Sequence, residues 1–300
     1  GLFSCWKGAA QDQEEPRPQL IQKGGFFVLF AWLYGIFIGA LPFVLAGRLN
    51  WIQSLFESVS GWTTTGLSVL DVTQVSPIFL FHRGFMQYCG GLGFVMVMTL
   101  FIQNKQSMNL FQAEGHSDQL TPNLGRTVRL IVLMYTTFLA LGVAAYVLAG
   151  MNFFDSLIHA FGSAGTGGFS NYADSVGHFD SAYIDYVISI FMILFGINFN
   201  LYYFMLLGDF KAFWKNEELR VYLGIVATAT ILITLNTNQM YGSIMKAFRY
   251  ALFQVSTIIT TTGYATTDFN LWPTFSQCIV VLLMIIGACA SSTGGGIKVS

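Results

Sequence analysis

Three short stretches of this chain could do chemistry: Thr63-Thr64-Thr65-Gly66, Ala164-Gly165-Thr166-Gly167-Gly168 and Thr260-Thr261-Thr262-Gly263. A dehydrated cation needs several oxygens in place of its hydration shell, and rings of backbone carbonyls can supply them. Threonine tolerates extended backbone, and glycine permits conformations that point successive carbonyls one way. A lone run of this kind reads equally well as β-branched filler or as small residues packing helices. Three registered copies favour the carbonyl reading.

The elements that position these stretches repeat with them. SLFESVSGWTTTGLS (54–68), SLIHAFGSAGTGGFS (156–170) and ALFQVSTIITTTGYA (251–265) align without gaps, and Gly168 and Gly263 follow Gly66 by 102 and 197 residues. Each unit reads as a long apolar run, a short amphipathic stretch, the Thr/Gly segment, a loop with acidic residues and a second long run. The amphipathic stretches are too short to cross a bilayer, which takes about 20 residues. A segment that enters the membrane and returns as irregular backbone survives only where protein buries it or water reaches it. The expected fold is therefore all-α, with helix, pore helix, filter loop and helix repeated around a central pore. The short helices aim their partly negative C-terminal ends at its centre.

Composition agrees with a membrane protein, since 54% of the 300 residues are hydrophobic and 10% charged. Uncharged runs at 24–47, 84–104, 130–154, 186–208, 221–245 and 269–297 are each long enough to span. If residues 1–23 lie inside the cell, then 1–23, 105–129, 209–220 and Lys298 place ten of the 14 Lys and Arg on that side. The expected division is a cytoplasmic segment (1–23), a first pore unit (24–104), a linker (105–129), a second unit (130–208), a linker (209–220) and a third unit (221–300). Gly1 is not an initiator methionine and the first run does not read as a signal peptide, so sequence upstream is expected. A net charge of −1 gives no reason to expect nucleic acid.

The other reactive residues are scattered. Cys5, Cys89, Cys278 and Cys289 show no CxxC spacing and read as reduced packing residues. His82, His116, His159 and His178 fall in different segments without HExxH or paired carboxylates, which argues against a membrane enzyme. His159 aligns with Glu57 and Gln254 on the short helices, where a packing or solvent-side role is expected. Arg83, Lys246 and Arg249 lie either inside the membrane with partners or at its outer interface. Asp71, Asp174, Asp180 and Asp268 follow the filters and either concentrate cations or are ordinary loop acids. A coupled carrier with broken helices is the remaining rival, although these repeats are parallel and not inverted.

The combination GALPFVLAG (39–47), SGWTTTGLSVL (60–70), HRGFMQYCGGLGF (82–94), AGTGGFSN (164–171), TTTGYATTDF (260–269) and SSTGGGIKVS (291–300) resembles the Trk/Ktr/HKT superfamily of potassium-translocating subunits. AEGHSDQLTPNLGRT and GINFNLYYF bring it closest to the bacterial Trk branch. The resemblance implies potassium as the carried ion, no cofactor in this chain, and a multi-pass position in the bacterial inner membrane. It further implies a homodimer, cytoplasmic nucleotide-binding regulatory subunits, and four filter units around one pore. A fourth filter segment is therefore expected roughly 100 residues past Gly263. By the same resemblance Gly287, Ser291, Ser292, Thr293, Gly294, Gly295 and Gly296 form a gating loop below the filter. Family members with serine at the first filter glycine tend to pass sodium, and this chain has Gly66 there. Coupling of potassium to sodium or protons stays open.

Overall fold

The computed structural model describes residues 17–93, 124–290 and 292–299. Three units follow one another. The first is α1 (Arg17–Leu45), α2 (Trp51–Trp62) and α3 (Pro77–Leu92). The second is α4 (Leu124–Leu148), α5 (Phe153–Gly165) and α6 (Ala182–Phe195), leading through α7 (Phe199–Leu206) and α8 (Phe210–Lys215). The third is α9 (Glu217–Tyr241), α10 (Ile244–Ile259) and α11 (Thr274–Ile285), followed by β1 (Ile286–Cys289) and β2 (Ile297–Val299). Among the described residues, stretches of α1, α4 and α9 are long and apolar enough to cross a membrane. Apolar side chains such as Phe26, Phe30 and Tyr34 stand exposed along α1, as lipid contact requires.

Asparagine caps start two of the short helices, α2 and α5, while α10 follows Ser243, which makes no side-chain cap bond. Asn50 Oδ1 accepts from Gln53 N at 2.9 Å while the Gln53 side chain accepts from Asn50 N, closing a capping box. Asn152 caps α5 through Asp155 N in the same way. At 12, 13 and 16 residues, α2, α5 and α10 remain too short to span, as their sequences predict. The outgoing helix of each unit packs on the short helix of the next, α3 on α5 and α6 on α10. Between them lies the main core, including Tyr135, Phe161, Phe195, Phe253 and Tyr264.

Three expected spans take a different form. The run 84–104 belongs to a helix that begins at Pro77 and ends at Leu92, capped by Gly93, with 94–104 outside the described residues. The run 186–208 breaks at Gly196-Ile197-Asn198, where α6 and α7 meet at 91°. Asn198 starts α7 by accepting from Asn200 N at 2.9 Å, and the freed Gly196 carbonyl accepts from Cys289 N at 3.1 Å. The break is thus satisfied by protein at depth. The run 269–297 stays helical only to Ile285, after which β1 and β2, of four and three residues, pair in parallel within a chain that is otherwise helical, as expected. Cys89, Cys278 and Cys289 are free thiols, and Cys5 lies outside the described residues. The linker 105–129 is outside them up to residue 123.

Candidate functional site

Each short helix ends in the same knot. Thr64, Thr166 and Thr261 take left-handed backbone with φ of 55°, 51° and 58°. The N–H groups of Thr64, Thr166 and Thr261 bond Gly61, Ser163 and Ile258 carbonyls, and those of Thr65, Gly167 and Thr262 bond Ser60, Gly162 and Thr257. This is the Schellman arrangement, with threonine where glycine is usual. The extended backbone expected for these threonines is therefore wrong at the middle position. A β-branched residue at positive φ is a strained outlier of the kind that clusters at functional sites. Two residues on, Gly66, Gly168 and Gly263 return to positive φ at 83°, 73° and 86°. Ala164 and Gly165 lie in the last turn of α5, and Thr63 and Thr260 cap α2 and α10.

The segments follow one another around an axis. A Cβ on Gly66 would stand 2.1 Å from the Gly167 carbonyl oxygen, and one on Gly168 would stand 2.1 Å from that of Thr262. A Cβ on Gly263 would meet nothing within 4 Å. On that open side a cavity of about 550 Å³ is lined by Gln254, Gly263, Ala265, Asp174 and Asp268 among others.

Behind the segments the three aligned polar residues are all buried. Glu57 accepts from Ser68 Oγ at 2.9 Å and Val69 N at 3.0 Å. His159 bonds Ser170 Oγ through Nε2 at 3.0 Å, and Ser170 is the repeat counterpart of Ser68. In the third unit that position is Ala265, and Gln254 Oε1 has no partner among the described residues. For Glu57 and His159 the packing role expected thus includes tethering the chain that leaves the Thr/Gly segment. Arg83 is buried as well, with Nε 3.1 Å from Glu57 Oε1 and its guanidinium 3.9 Å from the Phe169 ring centre. Removing one partner of a buried pair strands the other charge, at about 3–5 kcal/mol, whereas an apolar replacement of both is far milder. Glu57→Ala should therefore lower thermal stability in detergent sharply, and Glu57→Leu with Arg83→Met should recover most of the loss. Equal unfolding temperatures for the single and double variants would contradict this.

The remaining charges divide. Arg249 Nε bonds Asp185 Oδ2 at 2.6 Å, joining α10 to α6, and its Nη2 lies 3.6 Å from Asp180. Lys246 is exposed, as are Asp71, Asp174, Asp180 and Asp268. Bonds from the Thr73 hydroxyl and N–H hold the Asp71 carboxyl below the usual carboxylate range, so it stays charged.

Beneath the second and third segments lies the loop Gly287–Gly296. Thr166 Oγ1 shares its proton between the Gly165 carbonyl at 2.7 Å and the Thr293 carbonyl at 2.9 Å, and Gly295 N donates to Thr261 Oγ1 at 2.8 Å. Thus the hydroxyls of two left-handed threonines hold the loop. Glu218 accepts from Ala290 N, and Lys298 Nζ donates to the Gly294 carbonyl. Ser292 Oγ donates to Cys289 O at 2.6 Å, and a Cβ on Gly287 would stand 2.1 Å from Gly295 O, so only glycine fits that crossing. Ser291 lies outside the described residues. Sequence reasoning missed the left-handed threonines and the buried Gln87, because neither carries a composition signal. The repeat register at 64, 166 and 261 was the available clue.

Parallel units that turn three capped loops toward one axis define a helical membrane transport protein. The family described as "TrkH: Cation transport protein" matches residues 10–300, and the chain belongs to it. Among relatives, the Trk system potassium uptake protein TrkH of Escherichia coli K12 is 33% identical over 290 residues, covering 93% of this chain and 60% of the relative. The Trk system potassium uptake protein TrkG of the same organism is 31% identical over 315 residues, covering 99% of this chain and 64% of TrkG. The crystal structure of the potassium transporter TrkH from Vibrio parahaemolyticus superposes with a TM-score of 0.81 at 30% identity, covering 97% of this chain and 61% of that one. The chain spans about 60% of the length of these relatives.

Proposed function

We propose that this chain takes part in potassium uptake across the bacterial inner membrane, passing the ion along the Thr/Gly segments. The observation that carries the reading is the thrice-repeated backbone, left-handed threonine then left-handed glycine, with each of the first two glycines pressed against the next segment's carbonyl. Such a backbone presents rigid oxygens that replace water around a cation. Helix C-termini ending at Thr63, Thr166 and Thr260 add negative potential there. The names of the relatives support potassium as the ion. The ring conducts once a further segment closes the open side at Gly263.

In this reading residues 1–23, the linkers and Lys298 face the cytoplasm, and the loop 287–296 limits flow. An inside-negative potential drives entry with about 2.3 kcal/mol per charge per 100 mV. The family resemblance adds a two-copy assembly and a cytoplasmic nucleotide-binding partner. The test is the reversal potential of the transporter in liposomes under opposed gradients of potassium, sodium and protons. It should track the potassium gradient alone. Departure from the potassium Nernst potential would mean coupling to sodium or protons, and absence of potassium current or flux would remove the reading.

A further inference from the structure

We propose that Gln87, on α3 of the first unit, is the positioning residue that gives the second filter segment its shape, and through it the pore's choice of ion. The inference rests on the filter reading above. Gln87 is fully buried and lies one turn beyond Arg83. Its Nε2 donates to the Gly167 carbonyl at 2.7 Å, and its Oε1 accepts from Phe169 N at 3.1 Å. The amide orientation is fixed by chemistry, because a carbonyl demands a donor and an N–H an acceptor. One carboxamide therefore clamps both peptides that flank Gly168.

The first and third segments show why the second needs an outside clamp. There Thr63 Oγ1 meets Thr65 Oγ1 at 2.8 Å, and Thr260 Oγ1 meets Thr262 Oγ1 at 2.8 Å. In each pair the first hydroxyl is anchored one turn back, on Val59 O at 2.7 Å or Ser256 O at 2.6 Å. The matching residues of the second segment are Gly165 and Gly167, which have no hydroxyl to offer. A Cβ on Gly167 would stand 2.5 Å from Gln87 Cδ and Nε2. The carboxamide thus occupies the space that a threonine side chain would fill. Missing side chains also let α3 come close enough to deliver it. A Cβ on Gly91 would stand 2.4 Å from Gly165 Cα, and one on Gly165 would stand 2.3 Å from Gln87 O. The second segment is in this sense made by two units, its backbone from one and its lateral bonds from the other.

The experiment measures the potassium-to-sodium permeability ratio of the transporter in liposomes under bi-ionic conditions. Gln87→Met keeps length and loses both bonds, while Gln87→Glu keeps an acceptor for Phe169 N and loses the donor to Gly167 O. Both should lower the ratio by about fivefold or more with potassium flux retained, a size matching roughly one lost hydrogen bond. Tyr88→Phe, one residue on, removes a bond to Thr136 Oγ1 that does not touch the filter and should keep the wild-type ratio. A general loss of stability changes flux per protein and not the ratio. If wild type is selective and both Gln87 substitutions leave its ratio unchanged, the role of Gln87 falls and the filter reading stands. If wild type itself does not discriminate, both fall.

Discussion

Gly66→Ser and Gly168→Ser should each lower the potassium-to-sodium permeability ratio by about tenfold or more, equivalent to roughly 1.4 kcal/mol of discrimination. Two costs combine at these positions. A residue with a Cβ at positive φ loses about 1–2 kcal/mol relative to glycine. The new carbon would also fall 2.1 Å from the Gly167 or Thr262 carbonyl oxygen, and those oxygens must turn away. Turning one oxygen alters the cage in number and direction of its ligands, which favours the smaller or better hydrated ion in proportion. Gly263→Ser separates the two costs, because its Cβ meets nothing within 4 Å and only the backbone strain remains. In this chain alone it should therefore act more weakly, and the further segment proposed to close the open side would restore the second cost. An effect as large as at Gly66 would reveal such a cover. Wild-type ratios in Gly66→Ser and Gly168→Ser would remove these glycines from the filter.

Much of this arrangement is legible from the chain because it is repeated. Gly66, Gly168 and Gly263 stand out by register, and all three adopt the positive φ that glycine alone takes without strain. The short helices follow from length and amphipathicity, and asparagine caps mark where two of them, α2 and α5, begin. What stays hidden depends on tertiary packing. Thr64, Thr166 and Thr261 are poor candidates for left-handed backbone by propensity, and the fold imposes that conformation through four- and six-residue hydrogen-bonded closures. Arg83 reads equally as an interfacial cation until Glu57 and Phe169 are placed beside it. The bend after α6 and the β1–β2 pair escape an apolar-run reading because hydropathy records depth and not direction. Both occur where glycines interrupt the run, at Gly196 and from Gly287 onward.

Those same glycines belong to the loop proposed above to limit flow. Removing Thr293–Gly295 should raise potassium flux in liposomes several-fold while the permeability ratio stays at its wild-type value. The loop is held by few bonds that involve the filter itself, from Thr166 Oγ1 to Thr293 O and from Gly295 N to Thr261 Oγ1. At about 1 kcal/mol each, the two together set the closed-to-open ratio by roughly thirtyfold. Thr166→Val and Thr261→Val keep the branched shape and remove one bond each, so each should give a smaller rise than the deletion, and the pair should approach it. The ratio is the discriminating readout. A loop that restricts flow changes how many ions pass, whereas a loop that shapes the filter changes which ions pass. Unchanged flux in a folded deletion would dismiss the gate, and a collapsed ratio with raised flux would make the loop part of the filter's support.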